Sequence, residues 1–399
     1  MKRLLLVDDE PRVLRGLERS LFSLTDQWEI DTAEGGRQAL DALAAAPYDI
    51  VVSDMLMPGM TGAELLNEVM RLYPQTIRIV LSGHATNELL MKCVGAVHQY
   101  LSKPCEPVLL LSTIERVVHL NDHLRNPDLR AFATRLRRLP SRPSLYAQIL
   151  EALQVPDVEI EDIGKIVEKD IGMTSKLLNL ANSAFVGLSH QVDSAREAVT
   201  YIGIDALKAL VLSARIFEQF DNTSMGGLSA TDLWRHCNAT ADAAKLIATH
   251  EGAPRATADE AFTAGLLHDC GMLVIAGNLN ARYADAIRQA ADARQPIAEV
   301  EKQLWGTTHA EVGGYLMGLW GLPIPIVEAI TFHHAPKAHR LPAFTPLTAV
   351  HVANTLISER LGSISGLSTS PIDHAYLAQL GISPDHIQRW RDLAESIPL

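Results

Sequence analysis

Two hydrophobic rhythms divide the chain. Over the first 120 residues, short apolar runs alternate with segments whose apolar positions recur every three or four residues. Leu4–Val7, Glu29–Ala33, Ile50–Ser53, Ile77–Leu81 and Gln99–Leu101 predict five strands. A run that is apolar at every position suits a strand covered on both faces. Helical spacing appears at Val13, Leu14, Leu17 and Leu21, across Gln38–Ala45, and at Leu65, Leu66, Val69 and Leu72 before Pro74. Strands alternating with helices imply parallel βαβ units in a doubly wound α/β sheet, where ligands gather at the carboxyl ends of the strands.

Near residue 121 the rhythm changes. Residues 121–143 are rich in Arg, Asn and Pro, which predicts a linker or polar helix followed by a break. Helical segments then follow one another to the C-terminus, punctuated at positions such as Pro156, Gly203, Pro254, Gly277, Pro296 and Gly321. The expected organisation is a (βα)5 domain over 1–120, a linker over 121–140, an all-α domain over 141–360 and a helical extension over 361–399.

Composition sharpens this picture in two places. A formal net charge of −12 argues against broad nucleic-acid binding. The linker arginines Arg125, Arg130, Arg135, Arg137, Arg138 and Arg142 offer an anion-binding arm or, more blandly, a solvated face. The cysteines Cys93, Cys105, Cys237 and Cys270 form no C-x-x-C pair, so reduced thiols are expected. No apolar run suggests a bilayer span, and the N-terminal apolar stretch is too short for a signal-peptide core. A cytoplasmic protein without a membrane partner is expected.

The first candidate chemistry is acidic. Asp8 and Asp9 follow the first strand and Asp54 follows the third. In a doubly wound sheet these ends are neighbours, so three carboxylates converge and call for a cation, with oxygen-only ligands favouring Mg²⁺. Ser82 ends the fourth strand, and Lys103 with Pro104 follows the fifth. This set suits phosphoryl transfer, with Asp54 as nucleophile, Lys103 and Mg²⁺ neutralising charge, and Ser82 hydrogen-bonding a phosphoryl oxygen. Any one strand-end acid is often just a helix cap; three acids with a hydroxyl and a lysine at successive strand ends are not explained that way.

The stretches LLLVDDE (4–10), VVSDMLMPGMTG (51–62), IVLSGHA (79–85) and YLSKP (100–104) resemble the receiver domain of response regulators. The resemblance implies phosphorylation on Asp54 by a histidine kinase and Mg²⁺ held by Asp8, Asp9 and Asp54. It makes Ser82 the switch hydroxyl, Tyr100 the switch aromatic and Lys103 the family lysine. Leu56 and His84 fall where members vary and tune phosphoryl lifetime. A homodimer on phosphorylation and an unnamed downstream protein are the implied partners.

The second candidate chemistry is histidine-rich. His236, the pair His268-Asp269, His309, the pair His333-His334, and His351 with Asn354 one turn on are each flanked by apolar residues, so each points inward from its helix. Imidazole and carboxylate converging from several helices build metal sites in bundles. The order resembles the HD superfamily of metal-dependent phosphohydrolases. Carried over, His236, His268, Asp269 and Asn354 hold one transition metal, and His309, His333 and His334 serve a second. Three departures weaken hydrolysis: Asn354 stands for a late Asp, Met272 for a Lys, and Ala335 for a Glu, with no G-Y-P motif following. Cys237 and Cys270 read as small core residues.

A better match lies upstream. LRRLPSRPSLYAQIL (136–150), DIGKIVEKDIGMTSKLLNLANSAFVGL (162–188) and REAVTYIGIDALKALVL (196–212) resemble the HDOD domain, an all-helical signalling module. The segment Leu180–Phe185 is either a partner surface or a tight helix junction. The reading is a response regulator in which Asp54 phosphorylation controls an HDOD output. A phosphorylation-gated hydrolase of a nucleotide or cyclic dinucleotide is the alternative, and a nucleic-acid-linked regulator using the basic linker is a third.

Overall fold

A computed structural model describes residues 2–21, 28–82, 96–103, 105, 108–115, 126–136, 140–141, 143–152, 158–182, 190–204, 207, 218–219, 229–338, 343–362 and 370–399. His84, Cys93, Pro104, Arg125, Arg137, Arg138, Arg142 and Ser183–Phe185, singled out above, lie outside the described residues.

The first half is a five-stranded parallel sheet of β1 (Lys2–Val7), β2 (Trp28–Ala33), β3 (Ile50–Asp54), β4 (Ile77–Ser82) and β5 (Gln99–Ser102), ordered β2-β1-β3-β4-β5. The order reverses between β1 and β3, and such a switch point opens a crevice at the carboxyl ends. Asp8 follows β1 there, and Asp54 is the last residue of β3. Strand alternation sorts the apolar residues to two faces. Leu5, Val7, Val51 and Val80 pack with α2 (Gly36–Ala45) and α3 (Gly62–Leu72), among them Ala39, Leu43, Leu66 and Val69. Leu4, Leu6, Ile50, Val52, Ile79 and Leu81 belong to the other cluster, with Leu14 of α1 (Pro11–Ser20) and Leu110 and Ile114 of a helix, α4, over 108–115. The Thr61 hydroxyl and Glu64 carboxylate close a capping box at the start of α3, which fixes its entry just after Asp54.

That second cluster continues into the helical half through Leu129 and Ala133 of α5 (Pro127–Arg135). Asn126 caps α5, with Pro127 at its first position. This helix lies within the stretch expected to be linker and packs against the helical half: Thr134 Oγ1 is 3.2 Å from the Tyr315 hydroxyl. Beyond it come α6 (Pro143–Ala152), α7 (Ile160–Val167), α8 (Ile171–Ala181) and α9 (Ala195–Ile202). Every residue of α8 is buried, and Asp170, from the E-K-D stretch, caps it by accepting from Met173 N–H at 2.8 Å. The Asn182 amide clamps Val192, donating to its carbonyl and accepting from its N–H. A two-residue parallel pairing, Pro140–Ser141 with Glu218–Gln219, interrupts the otherwise helical pattern; so short a bridge leaves no alternation in sequence.

The remainder is α10 (Ala230–His250), α11 (Arg255–Leu267), α12 (Cys270–Ala293), α13 (Ile297–Trp305), α14 (His309–Leu319), α15 (Ile324–Phe332), α16 (Pro346–Leu361), α17 (His374–Gln379) and α18 (Pro384–Glu395). Helices α10, α11, α15 and α16 pack on one another, and α14 packs on α12 and α15. By length and hydropathy the span Arg255–Ala293 passes for a membrane helix, contrary to the expectation from sequence. Its most apolar window is 78% buried inside the protein, so its apolarity is that of a core helix.

Candidate functional site

The acidic rim of the receiver-like half is assembled around Lys103. Its ammonium lies 2.7 Å from Asp8 Oδ2 and 2.5 Å from Asp54 Oδ1, with Asp8 and Asp54 both buried. Burial pulls the Lys103 pKa down, but hydrogen bonds and charge from Asp54 and Asp8 outweigh it and raise the value. Asp8 Oδ1 accepts from Glu10 N–H, and Asp54 Oδ2 from Leu56 N–H, so backbone donors orient both carboxylates. Asp9 is exposed at the same rim. Ser82 is buried at the end of β4, and Tyr100 is packed inward with Val80, Val97 and Leu66. Gly62 permits the tight passage beneath this rim: a Cβ there would stand 2.0 Å from the Asp54 carbonyl oxygen.

The second cluster is built at helix ends. His268 follows α11, Asp269 occupies the N-cap of α12, His309 opens α14 and His333-His334 follow α15. His236 and Asn354 project from within α10 and α16. Asp269 makes no capping hydrogen bond. Its Oδ2 instead lies 3.2 Å from His268 Nε2 and 3.8 Å from His236 Nε2. Its Oδ1 lies 3.2 Å from His309 Nε2 and 3.7 Å from His333 Nε2. One carboxylate thus faces two donor groups, His236/His268 and His309/His333/His334, each with its ligand atoms within 4.8 Å of one another. Gly271 lets α12 and α14 meet backbone to backbone, since a Cβ there would lie 1.9 Å from the His309 carbonyl oxygen.

The imidazoles are held by their far nitrogens. His268 Nδ1 is 2.7 Å from the Gly265 carbonyl, His333 Nδ1 is 2.8 Å from the Ile330 carbonyl, and His309 Nδ1 is 2.7 Å from Glu301 Oε2. Those oxygens only accept, so each Nδ1 carries the proton and each Nε2 is turned toward Asp269. Short Nε2 contacts result: His236 to His268 at 3.2 Å and His309 to His334 at 2.9 Å. Asn354 Oδ1 lies 2.9 Å from His236 Nε2. The buried atoms His236 Nδ1, His333 Nε2 and His334 Nδ1 have no hydrogen-bond partner.

Electrostatics here are strongly coupled. Burial lowers His333 and His334 well below the usual histidine range, and neighbouring imidazoles add to it; burial and His268 hold His236 at about 4. Burial opposes ionised Asp269, but His268 and His309 outweigh it and keep its carboxyl well below the carboxylate range. His309 goes the other way: burial disfavours its charge, yet Glu301 and Asp269 raise it to about 10. His351 is turned out of the cluster, its Nδ1 2.7 Å from the His333 carbonyl and its Nε2 accepting from Asp373 N–H. Cys237 and Cys270 are fully buried with raised pKa values, burial being the first cause.

Sequence reasoning missed Glu301 and Tyr283, which stand behind His309. Their spacing from it carries no motif, and Glu301 sits in an ordinary charged helix.

Comparison with known proteins matches both halves. The family model of the response regulator receiver domain matches residues 4–115, and that of the HDOD domain matches residues 139–336. The chain is a response regulator with an HDOD domain. Among relatives of this response regulator, an uncharacterized protein of Treponema pallidum is 28% identical over 217 residues, covering 53% of this chain and 41% of that protein. The hydrogenase transcriptional regulatory protein HoxA of Cupriavidus necator is 31% identical over 151 residues, 36% of this chain and 31% of that protein. The chain therefore spans less than half of the length of either relative. A solved structure of the MmoQ response regulator from Methylococcus capsulatus has 24% identity and a TM-score of 0.49, over 63% of this chain and 97% of that one.

Proposed function

We propose that a cognate histidine kinase drives phosphorylation of Asp54, and that the phosphoryl group controls the HDOD half through β4 and β5. The observation that carries this reading is that β5 touches both places and β4 reaches the HDOD half through α5, whose Thr134 hydroxyl meets Tyr315. Strand β4 ends in Ser82 at the acidic rim and carries Arg78 near its other end, whose Nη2 donates to the Thr134 carbonyl of α5 at 3.0 Å. Strand β5 carries Tyr100 and leads to Lys103, while Gln99 Nε2 donates to the Gly318 carbonyl of α14 at 3.2 Å. Asn179 Nδ2 of α8 reaches the His98 carbonyl at 3.4 Å. A small shift at one end of a packed strand is passed to the other, and a two-state change of this interface is the expected output.

In this reading Asp8, Asp9 and Asp54 hold Mg²⁺, which shields the phosphoryl charge. Asp54 is the nucleophile, Lys103 holds its carboxylate and meets the incoming group, and Ser82 and Tyr100 respond to it. The functional units are 1–120, the linker 121–140, 141–360 and the extension 361–399, in a cytoplasmic protein acting on a downstream protein partner. The test is intact-mass spectrometry after a small phosphodonor and Mg²⁺. One added phosphoryl group, lost in Asp54→Asn, is expected; an unshifted mass, or a shift surviving the substitution, rejects the assignment. Homodimer formation on phosphorylation is supported by the exposed Val108 and Leu109 of α4. Light scattering should show a mass increase with the donor, and an unchanged mass rejects it.

A second reading concerns the helical half. Buried Nε2 atoms turned toward one carboxylate, orphaned ring nitrogens and an imidazole-rich donor set fit a transition metal. His236, His268, Asp269 and Asn354 would hold one ion; His309, His333 and His334, sharing Asp269, would hold a second. Such ions supply Lewis acidity toward a phosphoryl oxygen, which is what a nucleotide or cyclic-dinucleotide hydrolase needs. Turnover that requires added metal and is lost in Asp269→Ala is expected for the enzyme. Stoichiometric metal without turnover leaves a metal-dependent signalling domain.

A further inference from the structure

The carboxylate of Glu301 is completely buried, and its hydrogen bonds all serve one neighbour or brace it. Oε2 accepts from His309 N–H and from His309 Nδ1, both at 2.7 Å, while Oε1 accepts from the Tyr283 hydroxyl at 2.9 Å. Tyr283 is itself fully buried on α12, so α12 and α13 together brace a carboxylate behind the first residue of α14.

Three consequences follow from chemistry alone. A carboxylate can only accept, so His309 Nδ1 must carry a proton and Nε2 alone is left to face Asp269 and His334. A carboxylate behind an imidazole also increases the electron density that the other nitrogen offers to a cation. Finally, Asn354 is neutral, so Asp269 is the one carboxylate in the two donor groups, and Glu301 places a second negative charge one ring away from them. The other anchored imidazoles, His268 and His333, rest on backbone carbonyls.

We propose that Glu301, braced by Tyr283, is the positioning residue of the metal centre in the helical half: it fixes the tautomer and orientation of His309 and strengthens His309 Nε2 as a metal ligand. This rests on the metal reading given above. It assigns unequal roles to the two donor groups, because among the described residues only the His309/His333/His334 group has a carboxylate behind it.

The test is a Co²⁺ titration of full-length, chelator-stripped protein, followed by the visible absorption of the bound ion. With the Asp8, Asp9 and Asp54 rim kept occupied by excess Mg²⁺, wild type is expected to take up Co²⁺ in two phases. Glu301→Gln preserves shape and removes charge; it should weaken one phase by about 10- to 100-fold, change the absorption bands at saturation and leave the other phase intact. His236→Ala should remove the phase that Glu301→Gln spares. Tyr283→Phe, which leaves the carboxylate in place but unbraced, should act in the same direction and less strongly, and carries the test where Glu301→Gln does not fold. A Glu301→Gln protein with wild-type Co²⁺ affinity and bands overturns the proposal, even if its metal-free melting temperature is lower, since that outcome makes Glu301 structural only. Wild type that takes up no Co²⁺ overturns the metal reading itself, and is seen before any variant is made.

Discussion

Asn354 is the residue at which the helical cluster departs most from a strong cation site. Its Oδ1 reaches His236 Nε2 as a carboxylate oxygen would, but carries no charge. Among the described residues Asp269 alone supplies negative charge to the His236/His268 group, and it divides its two oxygens between that group and the next. A neutral amide is a poorer ligand for a dication than a carboxylate of the same shape. Asn354→Asp is therefore expected to tighten metal at this group by about tenfold, an electrostatic gain on the order of 1.4 kcal/mol. Competition of the purified variant against a chromophoric chelator checks it. Affinity equal to wild type would mean that the Asn354 oxygen lies outside the coordination sphere.

At the scale of elements, β4 and β5 carry the contact between the halves, and its centre is a buried pair. Arg78 is 1% exposed, with Nε on the Ala96 carbonyl, Nη1 on the Thr76 carbonyl and Nη2 on the Thr134 carbonyl. His98 Nδ1 accepts from Arg78 N–H, so its Nε2 carries the proton and donates to the same Thr134 carbonyl at 2.8 Å. Burial and the Arg78 charge hold His98 well below the histidine range, so the folded protein keeps it neutral. Unfolded, it takes up a proton near 6.5, its ordinary value. The unfolded state then binds more protons, and stability falls as pH drops through that value. Between about pH 7.5 and about pH 5.5 this single group lowers stability by on the order of 1 kcal/mol. In His98→Gln that part of the loss should vanish, while the other buried histidines contribute equally to both proteins. Urea unfolding of the two at both pH values measures it, and equal losses would show that His98 binds its proton in the fold as it does in the unfolded chain.

These elements also show what sequence reveals. β1 and β3 are legible because Leu4–Val7 and Ile50–Val52 are apolar at every position, β4 because Ile79–Leu81 is apolar around one charge, and the acids and hydroxyl at their ends are local motifs. The histidines were legible because each lies in an apolar frame. Arg78 and Glu301 were not: Arg78 meets Thr134 from 56 residues away, and Glu301 meets His309 from eight, across a loop rather than along a helix face. Nothing in their own neighbourhoods distinguishes a buried clamp from a solvated charge, because desolvation is a property of the packed fold.

For the whole molecule, the decisive geometry is that one cluster of buried side chains runs from Leu4, Ile79 and Leu101 through Leu129 and Ala133 to the helices around the histidines. A contiguous packed core moves between discrete arrangements rather than yielding gradually, because interiors are close-packed. Phosphorylation that redraws Ser82, Tyr100 and Lys103 should therefore be felt at α5 and at the ends of α8 and α14, where the polar contacts from β4, β5 and the neighbouring His98 land. Hydrogen exchange with and without phosphodonor and Mg²⁺ is expected to change most at residues 96–103, 126–136 and 314–322, while α18, which packs on α10 and α16, stays as it was. Asp54→Asn should abolish the difference. In Arg78→Ala the clamp is broken at its centre, so exchange at 126–136 should be fast in both states and no longer respond to the donor. Changes confined to the acidic rim in the wild type would mean that the signal leaves the receiver by another face and that the strand contacts only hold the two halves together.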